Sequence, residues 1–403
     1  MKRIYLDYAS LTPIDPRVLR EMKAYSGAEY ANPSSIYKEG VAAKKAMEDG
    51  RKRVAGFLRA HADEIVFTSG GTEANGLVIE GCGRAAHRVG NTKPHMIISN
   101  IEHSSIMETA NMMEKQGVEV TRLAVGPDGL VMPDELRKAI RPNTFLVSIM
   151  TVNNEIGSIQ PIREIAKAIR YARANVTKSS YPMFHTDASQ AAIFMDLNVE
   201  KLGVDLLTLD ASKMYGPRGI GALFIRRGTP IEQIIYGGGQ ERGLRSGTEN
   251  IPAIIGFAKS LDIITTDTTH FGTKNVSKRI GAADDMHALK TYFFDGLKEI
   301  RSDIVMNPSE LDVNNASLSP HILNVSIPGI DNEFFVLQLD ARGVAVSTKS
   351  SCLRDAAESY VLKAIGADSR ASVRFSFGRF TKKGDLKRTL RAVAEILSKR
   401  AVS

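Results

Sequence analysis

The chain has 403 residues, a hydrophobic fraction of 43%, a charged fraction of 24% and a formal net charge of +8. That length exceeds one small core, and the charge is spread along the chain, so it reads as a solvated basic surface and direct binding of nucleic acid is not expected. No apolar run approaches the roughly 20 residues that cross a bilayer, no apolar signal core follows "MKRIYLDYAS", and two cysteines, Cys82 and Cys352, are too few for a disulfide framework; a cytoplasmic protein with free thiols is the expectation.

Taken in chain order, "RIYLDY" reads as a strand. From about Glu64 to Arg227, short apolar runs then alternate with helical periodicity. "EIVFTS" precedes a glycine pair and a helical stretch, and "HMIISN" precedes "SSIMETANMMEKQG". "TFLVSIMTVN" precedes "REIAKAIRYARAN", and "PMFHTDAS", "VDLLTLD" and "GALFIRR" follow. Strands alternating with helices predict an α/β fold with a mainly parallel central sheet covered on both faces, whose ligand lies beyond the carboxyl ends of the strands. The ends of these runs, Ser69, Asn153, Asp187 and Asp210, are therefore expected near one site.

After about Ile251 a long helical stretch, interrupted by polar segments such as "TTDTTHFGTKN", gives way to shorter elements, "ILNVSIPG", "NEFFVLQLDARG", "VAVSTKSS" and "SVRFSFGRF", and a closing helix. The division expected is a large domain over residues 15–255 and a smaller α+β domain built from residues 1–14 and 256–403.

Three segments point to chemistry. In "FTSGGTEANG" a strand ends at Ser69, a glycine pair turns the chain, and Thr72 opens a helix. Exposed amides and the helix dipole there suit a phosphate, with the Thr72 hydroxyl as an extra donor, although a plain glycine turn with a threonine cap has the same pattern. In "FHTDASQ" Asp187 ends a strand with Gln190 three residues on; a carboxylate so placed pairs with a protonated ring nitrogen or caps a helix. In "LDASKMYGPRGIG" Lys213 stands at a strand-end turn, where an amine lowered in pKa by burial can bond an aldehyde. Together they match the needs of pyridoxal 5'-phosphate: a phosphate cradle at Gly71 and Thr72, a carboxylate for the pyridine nitrogen and a lysine. No metal site is expected.

The same stretches, with "YLDYASLTP", "NPSSIY", "EHSSI", "VNNEIG", "GGGQERGLRSGTEN", "VSTKSSC" and "SVRFSFGRFT", run in one order nearly end to end. In this the chain resembles the cysteine desulfurases of the pyridoxal-phosphate-dependent aminotransferase class V family, in the group that supplies sulfur for iron–sulfur clusters and tRNA thiolation. The resemblance implies a fold-type-I enzyme that converts L-cysteine to L-alanine and hands the sulfur to an acceptor protein, a cluster scaffold or a tRNA-thiolating enzyme. It implies that Lys213 anchors the cofactor covalently and moves protons at the substrate's α-carbon, and that Asp187 keeps the ring nitrogen protonated. His103 would stack on the ring and assist proton transfer, where alone it would read as a cap or core histidine. Asn154 and Gln190 would bond the ring hydroxyl, Asn154 also facing the substrate, and Thr72 with Gly71 would hold the phosphate. Thr248 in "RSGT" would reach the phosphate of a second copy, making a homodimer with shared sites. Arg374 would clamp the substrate carboxylate, against a plain salt bridge as the alternative. Cys352 would carry the sulfur as a persulfide, with Lys349 and Arg354 beside it to lower its pKa; Cys82, in an apolar helical stretch, reads as structural.

The chain departs from the family at the lysine itself. Serine, any residue, then histidine usually precede that lysine; here Asp210, Ala211 and Ser212 do. Ser212 can still donate to a phosphate, but Asp210 would repel one, so it is expected to turn away or to bind a neighbouring amide or arginine. Gly76, Tyr37 and Lys349 are smaller departures, standing where asparagine, histidine and glycine are usual. Two other readings remain open at this level: a selenocysteine lyase or other β-eliminating enzyme, which would not need Cys352, and a non-catalytic sulfur-relay scaffold.

Overall fold

The computed structural model describes residues 3–27, 29–266, 277–348 and 358–400. Among these the strands, in chain order, are β1 (Ile4–Tyr5), β2 (Ile65–Thr68), β3 (His95–Ser99), β4 (Glu119–Leu123), β5 (Thr144–Ser148), β6 (Met183–Asp187), β7 (Leu206–Asp210), β8 (Gly221–Ile225), β9 (Val305–Asn307), β10 (Ile322–Ser326), β11 (Val344–Ala345) and β12 (Ser372–Ser376). The runs read as strands from the sequence are strands, and "RIYLDY" holds β1.

Seven of the strands form one sheet in the order β2-β8-β7-β6-β5-β3-β4. Every pairing from β7 through β4 is parallel, whereas β8 runs antiparallel to both β7 and β2. The short connection Ala211–Ile220 between β7 and β8 explains the reversal, because a parallel return would need a crossover of a dozen residues or more. β2, reversed relative to β8, again points the same way as β7, so its carboxyl end opens on the same edge.

Alternate strand residues enter different cores, as the two-residue period of a strand requires. Phe67, Ile97, Val147, Phe184, Leu207 and Phe224 pack into one core, with the helix Lys38–Leu58, the helix Ile162–Ala172 and the helix Ile251–Thr266. Val66, Met96, Ile98, Leu146, Leu206 and Leu223 pack into the opposite one, with residues of α1 (Gly71–Arg88) and α2 (Ser104–Lys115). A sheet buried on both faces is mostly apolar, which is why its central strands read as nearly continuous apolar runs broken by a few paired polar residues.

A third core joins β10, β12 and the helices Asn332–Asp340 and Lys383–Arg400, with Ile4 and Leu6 from the chain start. β12, β10 and β9 make an antiparallel sheet, β1 pairs in parallel with β11, and Asp7 bridges to Ser376. The first residues thus belong with the last part of the chain.

One buried ion pair holds the edge of the main sheet. Glu241, in the glycine-rich segment before Thr248, accepts from Arg51 Nη1 at 2.6 Å and Nη2 at 2.8 Å, and its Oε2 also accepts from the Phe67 amide of β2 at 2.9 Å. Arg51 stacks over the Phe67 ring, 4.8 Å from its centroid. Removing one partner strands a buried charge, so Arg51→Met is expected to destabilise the fold by about 3–5 kcal/mol. Arg51→Met with Glu241→Gln should recover part of that loss, since glutamine keeps the Phe67 bond without a charge; denaturant midpoints of both variants check this, and equal midpoints for the two would refute it.

Candidate active site

At the carboxyl edge of the main sheet a cavity of about 190 Å³ is lined by residues from widely separated parts of the chain. Gly71 and Thr72 come from the turn after β2, His103 and Ser105 from the segment after β3, and Met150, Val152 and Asn154 from the segment after β5. Asp187 ends β6, with Ser189 and Gln190 after it, and Asp210 ends β7, with Lys213 beyond it. Ala9 and Ser10 of the chain start and Arg374 of β12 close it from the other side.

Lys213 ends a short 3₁₀ turn, Ala211–Lys213, directly after β7, and its Nζ donates to the Ser10 carbonyl. Asp187 is 8% exposed; its Oδ1 accepts from the Ser189 amide at 2.9 Å and its Oδ2 from Asn75 Nδ2 at 2.8 Å. Asn75 Nδ2 also donates to Ser105 Oγ at 2.9 Å, and Ser105 Oγ lies 2.8 Å from His103 Nδ1. His103 caps α2, its Nδ1 accepting from the Ser105 amide at 3.2 Å. That bond makes Nδ1 the acceptor of the neutral ring and leaves its proton on Nε2. The capping role and the cavity role of His103 coexist.

Gln190 is oriented from behind. Its Nε2 donates to the Ala9 carbonyl at 2.8 Å, and its Oε1 accepts from His321 Nε2 at 3.2 Å. Burial, with help from the charges of Lys290 and Arg374, pushes His321 down to about 3, so it is neutral at any ordinary pH. Arg374 is 1% exposed; Nη1 donates to the Asn154 carbonyl at 2.7 Å and Nη2 to Asp7 Oδ1 at 2.8 Å, while Nε has no hydrogen-bond partner among the described residues. A buried guanidinium with an unmet donor at a cavity wall is suited to an incoming carboxylate.

The other expected residues are placed differently. Ser69 and Asn153 are not among the residues lining the cavity; Asn153 is buried, with Oδ1 accepting from the Glu155 and Ile156 amides, so it shapes the loop that carries Asn154. Ser212 does not line the cavity either: it is buried in the 3₁₀ turn, where its carbonyl accepts from both the Thr12 amide and the Thr12 hydroxyl. Thr248 lies in a separate groove with Tyr25, Tyr30, Tyr37 and Pro252. Asp210 binds a neighbouring amide as expected, yet it also faces the cavity. Cys352, Lys349 and Arg354 lie outside the described residues. Cys82 is fully buried, and burial pushes its thiol well above the usual range.

Asn75 and Glu102 were not singled out from the sequence. Asn75 follows Thr72 by three residues, one helical turn along α1, and that spacing is the signal that puts both on the face of α1 lining the cavity. Glu102 carried no signal beyond its place before His103. It is fully buried, with Oε1 accepting from Ser99 Oγ at 2.5 Å and the Met150 amide at 3.0 Å.

The chain belongs to the aminotransferase class V family and, within it, to the cysteine desulfurases. The class V family pattern matches residues 4–389. The cysteine desulfurase IscS of Dictyoglomus turgidum is 39% identical over 404 residues, covering 99% of this chain and 96% of that protein. That of Methanosarcina thermophila is 38% identical over 403 residues, covering 99% and 93%. Among solved structures, a NifS-like protein superposes with a TM-score of 0.86 at 32% identity, covering 98% of this chain and 99% of that one. A structure of SspA in complex with cysteine gives 0.76 at 31%, covering 94% and 100%. The fold is the fold-type-I fold of pyridoxal-phosphate enzymes.

Two tests follow from the buried polar groups. Asn75 ties Asp187 to Ser105, so Asn75→Leu, similar in size but unable to bond, is expected to weaken binding of pyridoxal phosphate by about tenfold or more through loosened Asp187 and His103. Absorbance titration of the variant measures it, and unchanged affinity would show that neither group depends on Asn75. Glu102 is pushed up to about 8, chiefly by burial, with the bonds from Ser99 and Met150 opposing. An unfolded glutamate titrates near 4.5, so the folded state retains this proton longer: the group's stabilising effect is full below about 4.5 and is lost as pH rises towards 8, at up to about 1.4 kcal/mol per pH unit. Glu102→Gln should therefore gain stability relative to the unaltered chain across that window; thermal midpoints that stay parallel with pH would refute it.

Proposed function

We propose that the chain is a pyridoxal-phosphate-dependent desulfurase that converts L-cysteine to L-alanine, leaves the sulfur on Cys352 as a persulfide and passes it to an acceptor protein for iron–sulfur cluster assembly. The observation that carries this reading is that one cavity gathers Lys213, Asp187, His103, Gln190, Asn154 and Arg374 from separate parts of the chain. The donor set suits the cofactor's ring end: an amine for the aldehyde, a carboxylate for the ring nitrogen, amide donors for the ring oxygen, and an arginine with an unmet donor for the substrate carboxylate.

When bound, pyridoxal phosphate supplies an electron sink next to the substrate's α-carbon. Lys213 would hold the aldehyde, and its amine is placed to carry the proton at that carbon. Asp187, fixed by Asn75 and Ser189, would pair with the ring nitrogen and keep it protonated. His103, with its proton on Nε2, serves as the neighbouring proton donor. Arg374 and Asn154 orient the substrate. The Cys352 thiolate attacks the substrate's sulfur; an S–S bond forms, the Cβ–S bond breaks, and protonation of the carbon fragment gives alanine.

Four wider statements belong to this reading. The enzyme acts as a homodimer, supported by the groove around Thr248, whose rim carries Tyr30, Tyr37 and, nearby, the almost fully exposed Ile36. It works in the cytoplasm, supported by the need for a reduced Cys352, and delivery of sulfur for tRNA thiolation is a second use of the same persulfide. The division into residues 15–255 and residues 1–14 with 256–403 rests on the separate apolar cores; the helix Ile251–Thr266, which crosses that boundary, packs with the first.

The test is alanine formation from L-cysteine by the cofactor-loaded protein. Cys352→Ala is expected to lower the rate by about a hundredfold or more while the cofactor stays bound. Equal alanine from both proteins would remove Cys352 from the reaction and favour an eliminating lyase.

A further inference from the structure

The anion seat at the start of α1 already holds a carboxylate. Asp210 Oδ2 accepts from the Gly71 amide at 3.2 Å and Oδ1 from the Ser212 amide at 2.8 Å. The carboxylate lies directly against the glycine turn: a Cβ on Gly71 would stand in ordinary contact with Asp210 Oδ2, at 3.4 Å, and one on Gly70 at 3.6 Å. α1 is 18 residues long, with its first amides and the positive end of its dipole turned to the cavity where Asp210 and Thr72 stand together. A carboxylate gains there what a phosphate would gain. Among the described residues no lysine or arginine forms an ion pair with Asp210, and Arg374 is paired with Asp7. A phosphate entering this seat meets a like charge at close range and finds one amide taken.

We propose that Asp210 is the resident anion of the phosphate seat, so that the chain grips its cofactor by the ring end and through Lys213, and discriminates only weakly between pyridoxal phosphate and unphosphorylated pyridoxal. This rests on the cofactor reading above and deepens it: the aldehyde is the recognised feature and the phosphate a tolerated one. Ser212 is not among the residues lining the cavity, so it does not replace the donor lost there.

The experiment titrates the cofactor-free full-length protein with pyridoxal phosphate and, separately, with pyridoxal, following the visible absorbance of the lysine-bound aldehyde. Asp210→Asn, close in size and able to keep a bond to the Gly71 or Ser212 amide, and Asp210→Ser are run beside it, with circular dichroism to show that they fold. The unaltered chain is expected to bind the two aldehydes within about tenfold of each other, and both variants to tighten pyridoxal phosphate by about tenfold or more with pyridoxal unchanged. Variants that leave pyridoxal phosphate binding unchanged or weaken it, or an unaltered chain that prefers the phosphate by about a thousandfold, would overturn the proposal while leaving the cofactor reading intact. Absorbance that survives in Lys213→Ala, or fails to arise with either aldehyde in any of the proteins, would instead overturn the cofactor reading and this proposal with it.

Discussion

The site depends on how closely the turn Ser69–Gly71 can approach the ends of β7 and β8. A Cβ on Gly221 would stand 2.8 Å from the Gly70 carbonyl carbon and 2.7 Å from the Leu209 carbonyl oxygen, separations that no side chain tolerates. Gly70 itself has φ 153° and ψ −178°, a conformation that glycine alone adopts without strain. With glycine at these positions, α1 starts directly over the end of β7, and its first turn, Lys213 and Asp210 come to share one cavity. Any other residue at Gly221 would push β2 and the helix start away from the lysine, and the seat for an anion would open to solvent.

That closeness also sets the electrostatics. Asp187 and Asp210 end adjacent parallel strands and face the same cavity, yet each carboxylate is held by backbone amides: Ser189 for the first, Gly71 and Ser212 for the second. Amides fix a carboxylate's direction without neutralising it, so the cavity keeps its negative charge for a ring cation, while Lys213 and Arg374 supply the positive charge from its other walls. Beneath it, Ser148, His185 and Thr208 form a buried polar row across β5, β6 and β7, with His185 bonded at 2.8 and 3.0 Å and pushed down to about 4 by burial. A neutral histidine there satisfies polar groups without adding charge under Asp187.

Much of this was legible in the sequence because its physical cause is local. The parallel strands show as apolar runs, and the glycine pair, Asp187 and Lys213 mark strand ends, where α/β sheets gather ligand groups. What was not legible needs a third dimension. Asn75 matters because α1 lies against the end of β6, and nothing in "TEANG" states that neighbour. Asn153 and Asn154 are alike in sequence, and only the fold of the loop sends one inwards to bind amides and the other to the cavity. Ser212 reads as a phosphate donor until Thr12, two hundred residues earlier, is seen to hold its turn.

Arg374 shows how the separate cores become one site. It sits in β12, within the antiparallel sheet of the third core, with its amide bonded to the Ser347 carbonyl at 2.7 Å. Its guanidinium reaches the Asn154 carbonyl on the main-sheet side and Asp7 near the chain start. A single buried cation thus spans three segments that no continuous stretch of chain connects. The desolvation of that cation is offset only while Asp7 and Asn154 stay in place, so the position of this guanidinium is coupled to the packing of one core on another. Ser347, the backbone partner of Arg374, lies five residues before Cys352. Under the proposed function, the strand that carries the carboxylate-binding Arg374 is thus bonded to a residue only five positions before the proposed sulfur-accepting Cys352.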